Sequence, residues 1–302
     1  MATDNANMFA DILAGLADGS VVPYLGCHAL GGVTNPANGQ AIPADSDSLI
    51  LAMNDGRPMA PKLMFEFPRA AMNIELKRGR SAVTKFLDRT YRDTTWTRSP
   101  LHTWLAAQNL PYVVDSNRDT LLQQAYADRP HTLIVGLSRI GGTDYRFKLY
   151  QHDGNGEIGK FDVGKLGVGY KAIEQGDVDV TLPVLFKPLG TPLPESHYIA
   201  SDADFVDYVT ELMGGFGIPA FVKRMRQGKR YLLLGLPLNR DTERMVLSDI
   251  QFGAAQPAGW ALMLNANNKE KRFLTKLGIE LITVSSPDLL AATQAEAVLE
   301  AA

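Results

Sequence analysis

Five short clusters of small and polar residues stand just past apolar runs in this chain. They are Gly26-Cys27-His28, Ser116-Asn117-Arg118-Asp119, Lys187-Pro188-Leu189-Gly190, Gly235-Leu236-Pro237 and Asn265-Ala266-Asn267. The first belongs to VVPYLGCHALGG, Val21 to Gly32, where a β-branched run meets a glycine and small residues follow. That is how a phosphate-binding turn begins, because a residue without Cβ lets backbone N–H groups come close to an anion. Read alone, each cluster is a turn signal. Together they collect at strand ends, where an open α/β sheet places its ligand crevice.

The elements that must position these clusters alternate. Apolar residues at helical spacing (Met8, Phe9, Ile12, Leu13, Leu16) predict a helix over 6–18, followed by a buried strand over Val21–Leu25. Residues 31–48 are rich in Gly, Asn, Pro, Asp and Ser and read as a long loop able to cover a ligand. The segment 59–92 is mainly helical. Ser99-Pro100 starts a helix to about Asn109, with a strand over Pro111–Val114 and a helix over 119–128 behind it. Runs at His131–Leu137, Arg146–His152 and Val178–Phe186, with the turn-rich HDGNGEIG, predict a partly antiparallel insert over 131–182. Residues 202–228 read as helix broken near Gly214-Gly215 and Pro219. Strands at 231–234, 260–264 and 280–284 then alternate with helices at 240–251 and 268–277, and Ser286-Pro287 starts a last helix. The expected fold is α/β, a doubly wound (Rossmann-like) parallel sheet with a small inserted subdomain.

Bulk properties narrow the function classes. The 302 residues carry a net charge of −3, and no dense Lys/Arg block provides the basic face that nucleic-acid binding needs. Cys27 is the only cysteine, which excludes an intrachain disulfide and a CxxC zinc ribbon. HExxH, P-loop and GxSxG patterns are absent, and no metal ligand set is expected. No leader and no apolar run of the roughly 20 residues that span a bilayer is read, so the expected location is cytoplasmic.

In order and spacing the clusters resemble the sirtuin-like NAD-binding family, in its bacterial form without a zinc ribbon, from about residue 20 to 285. SPLHTWLAAQNLPYVVDSNRDTLLQQA resembles the stretch leading to that family's Thr-Asn-x-Asp turn. LFKPLGTPLPE resembles its Lys-x-His-Gly element, RYLLLGLPLNRD its Gly-x-Ser-Leu segment, and WALMLNAN its strand ending in Asn. The resemblance implies a single domain over 1–302 that binds NAD or ADP-ribose. Gly26, with Cys27 and His28, would open the pyrophosphate loop, and the helix after the first strand would offer its N–H groups to phosphate. Ser116, Asn117 and Asp119 would lie near the nicotinamide ribose, with Asn117 and Asp119 as the catalytic candidates. Gly190 would belong to the same site. Gly235 would let backbone approach the adenine side, and Asn265 would bind the adenosine ribose.

Departures from the family pattern are specific. The family's Gly-Ala-Gly-x-Ser is here Gly26-Cys27-His28-Ala29-Leu30, so a histidine replaces a glycine and Leu30 replaces a hydroxyl. Leu189 stands where the family has its general-base histidine, and a leucine cannot take a proton. His28 is the candidate replacement base, and Cys27 a weaker candidate nucleophile that would need a lowered pKa. Three functions stay open: a nucleotide-binding sensor or regulatory protein with weak or lost catalysis, an NAD glycohydrolase or deacylase-like enzyme with a relocated base, and an interaction module without nucleotide. A protein partner or a homo-oligomer is compatible with the first and third.

Overall fold

Alternate residues of the central strands are buried in opposite layers, and this decides the architecture. In β1 (Val21–Leu25), Val22 and Tyr24 join one apolar cluster and Val21 and Leu25 another. The same division holds for Tyr112 and Val114 against Val113 in β2 (Tyr112–Asp115), and for Tyr231 and Leu233 against Leu232 and Leu234 in β9 (Arg230–Leu234). Side chains alternate with a period of two, so a strand buried on both sides must have helices on both faces.

In the computed structural model, residues 2–140, 145–159, 169–291 and 293 are described. The nine-stranded sheet has the order β11-β10-β9-β1-β2-β6-β3-β4-β5. Here β3 is Pro130–Gly136, β4 Phe147–Asp153, β5 Tyr170–Ile173, β6 Val184–Lys187, β10 Gly259–Leu262 and β11 Ile279–Ile282. Every pairing from β11 to β3 is parallel. The winding runs from β1 towards β2 and β3, and the later strands β9 to β11 build outward on its other side, so the reversal lies at β1. One face is covered by α1 (Ala2–Ala17), α5 (Pro100–Ala107) and α6 (Leu121–Ala125), and the other by α7 (Asp202–Met213), α8 (Ala220–Met225), α9 (Asp241–Ile250) and α10 (Asn268–Leu277).

The segment 131–182 supplies β3, β4 and β5, and β4 and β5 extend the sheet antiparallel beyond β3. Of the run expected over 178–186, only Val184 to Phe186 is strand, and β6 runs on to Lys187. Asp179 accepts from Thr181 N–H at 2.9 Å, and this turn bends the chain ahead of Pro183. The helix expected over 119–128 is confined to Leu121–Ala125.

A third apolar cluster forms a cap at the carboxyl edge of the sheet. Its helices are α2 (Ser46–Met53), α3 (Phe67–Arg78) and α4 (Arg80–Tyr91). The long loop expected over 31–48 belongs to it: Thr34 bridges Ala41, Val33 and Ile42 are buried, and α2 already starts at Ser46. Leu30 is buried in the same cluster. Its place in the cap core accounts for an apolar residue there.

The antiparallel edge carries an acid-sensitive histidine. His131 and His152 face each other across β3 and β4, with rings stacked 4.7 Å apart. Nδ1 of His131 donates to the Arg129 carbonyl at 3.0 Å, and Nε2 accepts from the Tyr170 hydroxyl at 2.9 Å. Burial pushes the ring's pKa down to about 4, so the ring is neutral at pH 7. An unfolded histidine titrates near 6.5, so between those values the unfolded chain binds more protons and stability falls as pH falls. The expected loss between pH 6.5 and 4 is about 3 kcal/mol. Thermal melts at pH 7 and pH 5 check this: His131→Asn, which does not titrate, removes most of the difference, and an unchanged difference refutes the assignment.

Candidate functional site

Two hollows adjoin at the carboxyl ends of the strands, beside the reversal at β1. The larger, about 420 Å³, lies over β9 and β10 and is lined by His28, Asn239, Asn265, Asn267 and Ser286, among others. The smaller, about 60 Å³, lies over β1, β2 and β6 and is lined by Tyr24, Cys27, Ser116, Asn117, Leu189 and Glu243. Leu236 and Pro237 line both. At roughly 30 Å³ per water, the smaller chamber has room for about two water molecules.

The chamber is organised from below by a buried ion pair. Asp115 ends β2 and Lys187 ends β6, and these strands are parallel neighbours. Lys187 Nζ is 2.6 Å from Asp115 Oδ2, and neither side chain is exposed at all. Asp115 Oδ1 accepts from Asn117 N at 3.0 Å and from Asn117 Nδ2 at 2.9 Å, and Nδ2 also donates to the Gly26 carbonyl at 3.0 Å. Both amide hydrogens of Asn117 are thus committed. Its remaining polar atom, Oδ1, is an acceptor for a water or a ligand hydroxyl. Ser116 Oγ donates to the Leu25 carbonyl at 2.7 Å and is likewise held in place.

Several expected site residues have other duties. Gly26 lines neither hollow. A Cβ there would lie 2.3 Å from Leu236 Cα and 2.6 Å from the Gly235 carbonyl oxygen, so the space foreseen for pyrophosphate is filled by the β9 loop. Gly235 is the other half of this clasp, with φ +65° and a Cβ position 2.5 Å from Ala29 N. The helix expected to present N–H groups after β1 is a single 3₁₀ turn over Cys27–Leu30, whose His28 N–H donates to the Gly235 carbonyl at 2.9 Å. Gly190 lies in a small hairpin of β7 (Gly190–Thr191) and β8 (His197–Tyr198), where its Cβ would meet the His197 carbonyl oxygen at 2.0 Å, and it lines neither hollow. Asp119 is buried at the start of α6, where Oδ1 accepts from Leu121 N–H at 2.7 Å.

No histidine lines the chamber beside Leu189. His28 lies in the larger hollow with Asn265, away from Asn117. His197 Nε2 is 3.0 Å from Glu195, and His102 is buried within α5. Cys27 does line the chamber, but burial raises its thiol pKa well above the ordinary value and keeps it protonated. Among the described residues, no group of three His, Cys, Asp or Glu side chains is placed to hold a metal ion, and no helix is long and apolar enough to cross a membrane.

Sequence reasoning missed two features. Lys187 stood in the clusters, yet its pairing depends on the β2–β6 register. Glu243, in the first turn of α9, looks like an ordinary acidic helix start. In the structure it lines the chamber together with Leu189, and its buried Oε2 has no hydrogen-bond partner among the described residues. Burial pushes its carboxyl up to about 8, against the opposing pull of Arg240 and Arg118. Arg118 itself is anchored: Nε and Nη2 donate to the Ile199 carbonyl at 3.0 and 2.5 Å, and its guanidinium stacks 5.5 Å from the Phe67 ring.

No model of a known protein family matches the chain, and no curated protein matches it. The functional reading therefore rests on the site.

Proposed function

We propose that this protein binds NAD or ADP-ribose at the larger hollow and acts as a sensor or regulatory protein with little or no turnover. The larger hollow carries the proposal. Its volume of about 420 Å³ falls within the roughly 300–1,000 Å³ of small-molecule sites. It also opens at strand carboxyl ends beside the reversal of winding, where open α/β sheets bind nucleotides. His28, Asn239 and Asn265 border it with side-chain polar atoms that are uncommitted among the described residues. In this reading Asn265 takes the adenosine ribose, and His28 lies towards the pyrophosphate. The sirtuin-like order of the strand-end clusters supports the same ligand.

The chamber end supports binding over turnover. Asn117 Oδ1 is fixed to accept from a ribose hydroxyl or a water, but a leucine stands where a base would act, and the open space is small. Loss of a positioned base lowers a rate by about 10²–10⁴.

Calorimetric titration with NAD and with ADP-ribose tests the reading. Saturable heats that return to baseline are expected. Asn265→Leu should weaken both ligands at least tenfold, about 1.4 kcal/mol, and leave the melting temperature unchanged, since Asn265 is exposed. A flat trace for both ligands refutes nucleotide binding, and sustained heat after each injection refutes the loss of turnover.

A further inference from the structure

We propose that a polar hollow where the helical cap meets the sheet is a second ligand site, and that it takes a phosphate monoester of a sugar. It shares no lining residue with the two hollows described above, and it stands independently of the nucleotide reading.

This hollow, about 450 Å³, is lined by Arg80 and Thr84 of α4, Ser138 and Arg139 after β3, His197 of β8 and Asp204 of α7, among others. Its size falls within the roughly 300–1,000 Å³ of small-molecule sites. Buried carboxylates hold its two arginines in place. Asp204 Oδ2 accepts from Ala200 N at 2.9 Å and from Ser201 N at 2.8 Å, and it also receives Arg80 Nη1. Oδ1 of the same carboxylate pairs with Arg139 Nε at 2.8 Å. Glu75 of α3 pairs with Arg139 Nη1 at 2.6 Å, and Arg80 Nη2 donates to the Tyr198 carbonyl at 2.7 Å. Both guanidiniums are thus fixed on one carboxylate before a ligand arrives. Arg80 Nε and Arg139 Nη2 keep N–H groups without a partner among the described residues. Arg139 also has φ +53°, which a residue with a Cβ adopts at a cost, and its N–H donates to Asp207 at 2.7 Å. Strain of this kind collects where a side chain must be aimed.

Spare guanidinium N–H groups match the oxygens of a phosphate. Asp204 and Glu75 balance the two positive charges, so the pair suits one phosphate group and gives little attraction to a polyphosphate. The rest of the lining selects the rest of the ligand. Ser138 Oγ and Thr84 Oγ1 have no partner among the described residues, and a hydroxyl both donates and accepts. His197 Nε2 donates to Glu195 at 3.0 Å, and burial holds the imidazole pKa below its ordinary value. The ring is neutral at pH 7, and its Nδ1 is an acceptor. No aliphatic side chain lines this hollow, in contrast to Leu262, Met263 and Val284 in the larger one. That set of donors and acceptors fits the hydroxyl groups of a sugar.

Calorimetric titration of the full chain at pH 7 with glucose 6-phosphate, inorganic phosphate and glucose tests the proposal, on the native protein, Arg139→Gln, Thr84→Val and Asn265→Leu. The native protein is expected to bind glucose 6-phosphate saturably, about tenfold more tightly than inorganic phosphate or glucose, the worth of roughly one or two hydrogen bonds. Arg139→Gln should weaken glucose 6-phosphate and inorganic phosphate about tenfold each. Thr84→Val should weaken glucose 6-phosphate about fivefold and leave inorganic phosphate unchanged. Its hydroxyl has no partner within the described fold, so this variant keeps the native melting temperature and carries the test even where Arg139→Gln unfolds. Asn265→Leu should change none of these affinities. A flat trace with glucose 6-phosphate overturns the proposal, and so does binding that neither Arg139→Gln nor Thr84→Val weakens. Equal affinity for inorganic phosphate and glucose 6-phosphate overturns the sugar as part of the ligand. Weakening by Asn265→Leu alone places the sugar phosphate in the larger hollow and overturns this site.

Discussion

Lys187→Met is expected to destabilise this protein by about 3–5 kcal/mol, the usual result of breaking a buried ion pair by removing one partner. Its ammonium lies 2.6 Å from Asp115 in a region where both side chains are wholly buried. Without it, Asp115 keeps only the hydrogen bonds from Asn117 and must hold an uncompensated charge or take up a proton. The fall in melting temperature should be on the order of 10 °C. The double variant Asp115→Asn/Lys187→Met should recover most of this loss, because no charge remains and the amide oxygen introduced at position 115 still accepts from Asn117. Thermal unfolding of the two single variants and the double variant measures the coupling. Additive losses would show that the pair is not a unit. The variant also links fold to site, since Asp115 holds the Asn117 amide towards Gly26.

Gly26→Ala should cost about 3 kcal/mol through overpacking, with or without a nucleotide present. The added methyl would lie 2.3 Å from Leu236 Cα and 2.6 Å from the Gly235 carbonyl oxygen, both of them backbone atoms that cannot rotate away. Gly235→Ala meets the same clasp from the other side, 2.5 Å from Ala29 N, and adds a strained φ of +65°. A glycine kept for phosphate approach behaves differently: alanine there lowers nucleotide affinity and leaves the melting temperature alone. Denaturant unfolding together with a NAD titration separates the two. A normal unfolding midpoint with weakened NAD binding would return Gly26 to the ligand.

Both variants probe the same boundary in what could be read from residues alone. The alternation of strands and helices was legible because its signals are local. Ser99 accepts from His102 N–H at the start of α5 with Pro100 behind it, and Asn267 with Glu270 closes a capping box on α10, as those residue types predict. Asp179 shows where local reading failed, since one Asx turn outweighed the β-branched residues around it. The loop expected over 31–48 holds as far as Asp45; what went unread is that it packs into the cap, because Val33 and Ile42 are isolated apolar residues in a turn-rich stretch, with no period to announce their burial.

At the strand ends, residue type picked out several residues that the structure gathers around two hollows, and not what each of them touches. Asn117, Cys27 and Ser116 do line the chamber, and His28, Gly235 and Asn265 the larger hollow. Gly26, Gly190 and Asp119 carry the same signals and face other backbone or a helix end instead.

The sequence by itself determined the doubly wound α/β class, because strand runs buried on both faces and separated by capped helices have few other ways to pack. Only the tertiary structure decided which strand-end groups line the hollows. That depends on registers such as Leu25 beside Leu234 and Val113 beside Leu185. These bring residues more than 70 positions apart within hydrogen-bond reach, and they turn the acidic start of α9 inward, so that Glu243 faces the space beside Leu189.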